Sequence, residues 1–182
     1  MAKFYSEISP ELQEFVEAQH IFFTGTAMAD GHINVSPKGR DCLRVIDSKT
    51  IIWRNLTGSG NETAAHLKSL NRMTLMWCSF EGKPMILRCY GTAEVFHVKD
   101  VDFEALNAHF EHDHGARQIF KMHIEAVQTS CGFAVPLMDF KAERDVLAKW
   151  SEQKGPEEIK AYWKEKNVLS IDGIETGIEE HI

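Results

Sequence analysis

The chain has 182 residues, with 27 Asp and Glu against 20 Lys and Arg, a formal net charge of −7 and 43% hydrophobic residues. That composition fits one soluble domain around a single core, and its acidic balance argues against nucleic acid as a partner, because binding phosphates nonspecifically needs an excess of Lys and Arg. No run approaches the ~18 apolar residues of a membrane span, so no membrane partner is expected; four cysteines without a C-x-x-C pair fit a reduced, cytoplasmic setting.

Ser9-Pro10-Glu11 predicts a helix start, with Ser9 as N-cap and Pro10 at the first helical position, where its missing N–H costs nothing. Leu12, Phe15 and Val16 mark the buried face of that helix. Residues 21–27 are β-rich and run toward Asp30-Gly31, a two-residue hairpin signal that returns the chain through Ile33 and Val35. A second hairpin is expected from 43–46 and 50–54 around Asp47-Ser48-Lys49. After a Gly-rich loop, 62–70 has helical spacing, and strands 73–80 and 85–98 follow, joined by Glu81-Gly82-Lys83-Pro84.

In the first of those strands Met73, Leu75 and Trp77 alternate with Met76, Cys78 and Phe80, so both faces are apolar and both need cover; a subunit partner is one candidate. A helix over 101–110 and a strand over 124–130 come next, then two short amphipathic helices from about 141, broken at Lys154-Gly155-Pro156, and a tail rich in Gly and acid. Six or seven β segments at hairpin spacing, with helices between them, predict an α+β fold built on a small, predominantly antiparallel barrel. The expected division is a barrel over 1–140 and a C-terminal helical extension over 141–182, packed on the barrel or on a partner.

Chemistry concentrates in the first third, where residues 31–54 hold five bases and two acids. The loop Asn55-Leu56-Thr57-Gly58-Ser59-Gly60-Asn61-Glu62-Thr63 lies between a strand and a helix, so its amides, its hydroxyls and the positive end of the helix could cradle a phosphate. A flexible turn with Asn61 as N-cap explains the same residues. Arg44 and Arg88 each sit inside a strand and need an anionic or carbonyl partner, either a ligand or an acid such as Glu94 or Asp47. Ser36-Pro37-Lys38-Gly39-Arg40 is a further cationic turn. His109, His112 and His114 fall close together, but without the supporting Cys/His set of a zinc site, and no metal is expected.

Taken in order, Asn34-Val35-Ser36-Pro37-Lys38-Gly39, Leu43-Arg44-Val45-Ile46-Asp47, the run 56–67, Asn71-Arg72-Met73-Thr74-Leu75-Met76, Ile86-Leu87-Arg88-Cys89-Tyr90-Gly91 and Val127-Gln128-Thr129-Ser130-Cys131-Gly132 resemble one family. It is the pyridoxamine 5'-phosphate oxidase-related family of flavin-nucleotide-binding proteins with the FMN-binding split barrel. The resemblance implies a homodimer with FMN at the subunit interface and a flavin-dependent oxidoreductase acting on an unidentified small molecule, hydride passing to flavin N5. It places Arg44, Val45 and Ile46 on the ring and ribityl side, Asn55, Ser59, Gly60, Asn61 and Thr63 near the ribityl chain and phosphate, Arg88 near the ring, and Lys38 as a further contact.

No catalytic side chain is assigned. Two departures point away from pyridoxamine phosphate itself. Glu62 and Thr63 stand where the true oxidase carries an adjacent Arg-Lys pair, and the C-terminal segment Ser170-Ile171-Asp172-Gly173-Ile174 lacks the oxidase's Arg-x-His. A flavin carrier or redox sensor is the alternative function, and a haem-handling split barrel, suggested by nine histidines, is a third.

Overall fold

The computed structural model describes residues 2–182. Its strands are β1 (Lys3–Tyr5), β2 (Phe22–Thr26), β3 (Asn34–Lys38), β4 (Leu43–Asp47), β5 (Thr50–Leu56), β6 (Met73–Cys78), β7 (Ile86–His97) and β8 (Ala116–Ser130). Its helices are α1 (Pro10–Glu17), α2 (Glu62–Ser69), α3 (Phe103–Asn107) and α4 (Val146–Lys166). The strands form one sheet in the order β3-β2-β6-β7-β8-β5-β4, with β1 added to β8, and every pairing is antiparallel. The edges β3 and β4 do not pair with each other, so the curled sheet remains split.

Aromatic side chains from strands far apart in the order meet inside the curl. Phe22 of β2 lies 6.2 Å from Trp53 of β5 and 5.9 Å from Trp77 of β6, and Trp53 stacks on Phe120 of β8 at 4.4 Å. Rings of this size bury ~150 to 250 Å² each, which makes them the main apolar contribution to closure. Met73, Leu75 and Trp77 of β6 face this interior, while Thr74, Met76 and Cys78 are half-buried on the other face. At the base, α1 contributes Leu12 and Val16 to the same core, and Ser9 caps it by accepting the Leu12 amide at 3.4 Å.

The long β7–β8 ribbon bends where its register shifts between Tyr90 and Gly91. A Cβ at position 91 would collide with the His123 carbonyl, so only glycine permits this approach. Strand β1 has no counterpart among the predicted elements, and three of those predicted differ in detail. The β2–β3 connection is longer than a two-residue turn, because Thr26 pairs with Asn34 and the loop between them is held from outside by Asp172, which accepts the His32 amide at 2.9 Å. Strand β8 begins at Ala116 rather than 124, since residues 116–120 are buried throughout and show no polar alternation. Helix α3 is shorter than 101–110, although Phe110 still reaches the core packed around Ile52, Phe103 and Ile119.

Helix α4 breaks where expected: Gly155 adopts φ 67°, ψ 170° ahead of Pro156. Its second half docks through Ile159 and Trp163 against Ile178 of the tail and Val98 after β7. Among the described residues no helix is long and apolar enough to cross a membrane.

Candidate functional site

Beside the split, a cleft of about 1180 Å³ opens between the ends of β3 and β5 and the segment that leads into α4. Pro37, Lys38, Asn55 and Leu56 form one wall, and Phe140, Leu147 and Trp150 the other. Phe140 is held in place by stacking on His20 at 3.6 Å. Lys38 ends β3, and its Nζ lies 5.3 Å from the Trp53 ring centroid and donates to Asn55 Oδ1 at 3.4 Å. Among the described residues it has no carboxylate partner, and burial together with the Arg117 charge pushes its pKa down to about 8. Cys42 nearby is inert, because burial pushes its thiol up to about 11.

Two arginines complete the cationic rim. Arg54 lies over the Phe110 ring at 5.0 Å and donates to Asn107 Oδ1 and the Glu111 carbonyl. Arg40 occupies the left-handed region at φ 61°, a conformation a non-glycine residue keeps only when its surroundings enforce it. Its side chain pairs with Asp113 at 3.1 Å and its amide donates to Glu143 Oε2 at 3.2 Å.

The Gly/Ser loop adjoins this cleft at Thr57 and Gly58. Thr57 donates through both its amide and its hydroxyl to the Gly115 carbonyl, at 2.8 and 2.9 Å, and accepts from Trp163 Nε1 at 2.8 Å. The Gly58 carbonyl accepts from Asn167 Nδ2 at 2.9 Å and from Arg117 at 3.4 Å, and the Gly60 carbonyl accepts from Arg117 at 3.0 Å. Asn61 stands at the N-cap of α2 but makes no side-chain cap bond; its Nδ2 donates to the Asn167 carbonyl at 3.3 Å. Thr63 accepts from Asn34 Nδ2 at 3.1 Å, and the Glu62 carboxylate accepts the Ile171 amide.

A buried polar chain runs from the cleft to the far end of the sheet. Lys38 donates to Asn55, Asn55 Nδ2 donates to Gln118 Oε1 at 3.0 Å, and Gln118 Nε2 donates to His97 Nδ1 at 3.4 Å. His97 stacks on His181 at 4.4 Å, and burial together with that second ring pushes its pKa down to about 4. His97 is therefore neutral near pH 7, with Nδ1 accepting.

The expected contacts thus separate into groups. Lys38 and Asn55 meet in the cleft, and Ser59, Gly60, Asn61 and Thr63 lie in the adjoining loop and first turn of α2. Arg44, Val45 and Ile46 lie on the edge strand β4, where Arg44 is engaged by both oxygens of Asp41 and covers Phe110 at 4.8 Å. Arg88 on β7 reaches the Ser130 hydroxyl at 3.4 Å and lines no wall of the cleft. Sequence reasoning passed over Arg54, Arg117, Gln118, Trp163 and Asn167. The one local signal was Arg117-Gln118, a polar pair directly ahead of the apolar Ile119-Phe120. His112 and His114 meet edge to face at 4.6 Å, and among the described residues no group of three or more His, Cys, Asp or Glu is arranged to hold a metal ion.

The fold is thus a split antiparallel barrel with a roomy cleft beside a Gly/Ser loop. The family model described as pyridoxamine 5'-phosphate oxidase matches residues 8–131, and the chain belongs to that family. It is 33% identical, over 201 aligned positions, to the pyridoxamine 5'-phosphate oxidase family protein ustO of Aspergillus flavus, covering 96% of this chain and 77% of the relative. Among solved structures, Group A Streptococcus HupZ matches with a TM-score of 0.53 at 22% identity, covering 66% of this chain and 91% of that one. A Clostridium acetobutylicum protein related to general stress protein 26 of B. subtilis, of the pyridoxinephosphate oxidase family, matches with a TM-score of 0.51 at 20% identity over 75% and 94%. At these identities the two structures share the fold.

Proposed function

We propose that the protein binds FMN noncovalently in the cleft and serves as a flavin-dependent oxidoreductase for a small molecule. The observation that carries this reading is Lys38, a half-buried cation without a carboxylate partner among the described residues, set between an apolar wall and a phosphate-compatible loop. Burying a charge unpaired is costly, and an anionic ligand beside it offsets that cost.

The donor set fits the group. Lys38 and the loop from Ser59 to Asn61 suit a phosphate, Asn55 suits the ribityl hydroxyls, and Pro37, Leu56, Phe140 and Trp150 offer an apolar wall for a planar ring. FMN, when bound, supplies the two-electron redox chemistry. The chain's own part is to bind, orient and exclude water. Gln118 fixes the Asn55 amide so that its oxygen faces Lys38, and the segment anchored by Phe140 on His20 covers the apolar side. No side chain in the cleft needs to act as a nucleophile, so positioning of substrate against the cofactor would carry the rate.

We further propose that two copies pair over this cover. Phe133 and Leu137 are each 81% exposed and Val146 is 68% exposed, an apolar strip along the same segment that a partner subunit would bury.

The test is the visible spectrum of protein purified without added cofactor, followed by chromatography of the released chromophore. Flavin bands and an FMN peak are expected. A colourless protein that also refuses FMN overturns the reading. Anaerobic addition of NADH or NADPH then separates turnover from carriage: bleaching with reoxidation in air marks an enzyme, and an inert flavin marks a carrier.

A further inference from the structure

The loop beside the cleft is gripped by two residues to which the functional reading assigns no role. Arg117 is 2% exposed, makes no ion pair among the described residues, donates only to the carbonyls of Gly58 and Gly60, and leaves Nε without an acceptor. An arginine does not shed its charge in a protein, so this guanidinium is a buried positive charge with only carbonyl dipoles for company. Asn167 is fully buried and donates to the same Gly58 carbonyl at 2.9 Å. Its own carbonyl is pinned by Thr176 Oγ1 at 2.7 Å and Asn61 Nδ2 at 3.3 Å.

The grip has a directional consequence. In a trans peptide the carbonyl and the following N–H point in opposite directions. With the Gly58 and Gly60 carbonyls drawn toward Arg117, the amides of Ser59 and Asn61 point away from it, two residues apart. Neither amide has an acceptor among the described residues. Two amides presented together, with positive charge behind them, form an anion-binding concavity. The Arg117 charge is also felt at Lys38, so the two cations share one electrostatic region. Glu62, whose carboxylate lies beside Gly60, is engaged by the Ile171 amide.

We propose that Arg117 and Asn167 are positioning residues for a phosphate monoester: Arg117 supplies the buried counter-charge, and together they hold the loop with the Ser59 and Asn61 amides turned to the ligand. The C-terminal segment is then part of the site and not merely a brace beside it. The identity of the ligand, though not the existence of the anion site, rests on the flavin reading above.

FMN and riboflavin differ only by the phosphate, so their dissociation constants, read from flavin fluorescence, isolate the subsite. In the wild type, FMN is expected to bind ~100-fold tighter than riboflavin, as charge-assisted phosphate contacts allow. In Arg117→Met that preference is expected to fall below ~10-fold, with riboflavin affinity changed less than about threefold. Arg117→Lys keeps the charge and recovers part of the preference, and Asn167→Ala loses part of it. An unchanged preference, or equal weakening of both flavins, overturns the proposal.

Should Arg117→Met not fold, Arg117→Lys and Asn167→Ala carry the same comparison. If the wild type binds neither flavin, the flavin reading has failed while the subsite is still tested by inorganic phosphate. A rise in melting temperature with phosphate in the wild type, absent in Arg117→Met and smaller in Asn167→Ala, supports the subsite. No rise in the wild type overturns it.

Discussion

Lys38 holds its proton less tightly than an ordinary lysine because burial and the Arg117 charge both oppose the ammonium, and an anion bound beside it would reverse that. FMN affinity is therefore expected to weaken as pH rises past about 8, where the free protein loses the Lys38 proton. Titrations between pH 7 and 10 check this. Lys38→Arg should flatten the profile, and Lys38→Met should lower affinity at pH 7 by roughly ten- to a hundredfold. Glu62 acts in the opposite sense, placing a carboxylate beside Gly60 at the head of α2. Glu62→Gln keeps an acceptor for the Ile171 amide while removing the charge, and is expected to tighten FMN several-fold; unchanged or weaker binding would contradict the placement of the phosphate.

Lys38 and the loop were legible in the sequence because a cationic turn and a Gly/Ser/Asn run carry their own local signatures. Arg117 and Asn167 were not. A buried arginine reads like an exposed one in sequence, and Asn167 matters only because folding brings it to Gly58 across 109 positions.

At the scale of elements, the hairpins could be read from their period-2 pattern and the α4 break from Gly155-Pro156, whereas the first half of β8 could not, because burial on both faces erases alternation. The tail that follows α4 docks on the end of β7 through the stacked rings of His97 and His181. Asp100 favours protonation of His97, while burial, His181, Arg117 and Lys68 oppose it, and the balance leaves its pKa near 4.

A histidine depressed in the folded state contributes stability that is present above its unfolded pKa, near 6.5, and is lost as pH falls toward the folded value. Between pH 6.5 and 4, roughly 3 kcal/mol should be lost from this group. Urea denaturation across that range should show the decline, and His97→Gln should remove most of its slope. An unaltered slope would locate the acid sensitivity elsewhere.

For the molecule as a whole, the order of the sheet was the least readable feature from the residues alone. The β2–β6 and β5–β8 pairings join segments distant in sequence, and nothing local encodes them. The outer face of β6, where Met76 and Cys78 are half-buried, is the face for which the sequence predicts a cover. Sedimentation equilibrium is expected to give twice the 20.7 kDa chain mass for the proposed pair. Phe133→Asp combined with Leu137→Asp should return it to a single chain, and a wild-type protein of single-chain mass at micromolar concentration would count against the pairing.

The split itself exposes β3 as an edge strand, with a row of backbone groups open to any other extended chain. Pro37 lies within that strand, opposite Phe23, and has no N–H to offer on either side. A foreign strand laid along β3 would therefore find its ladder interrupted one residue before the end, next to the charge of Lys38. The residue that helps shape the cleft wall also discourages disordered self-association. Pro37→Val would restore a full set of donors, and its effect should appear as light scattering that grows with storage time and protein concentration, before any change in melting temperature.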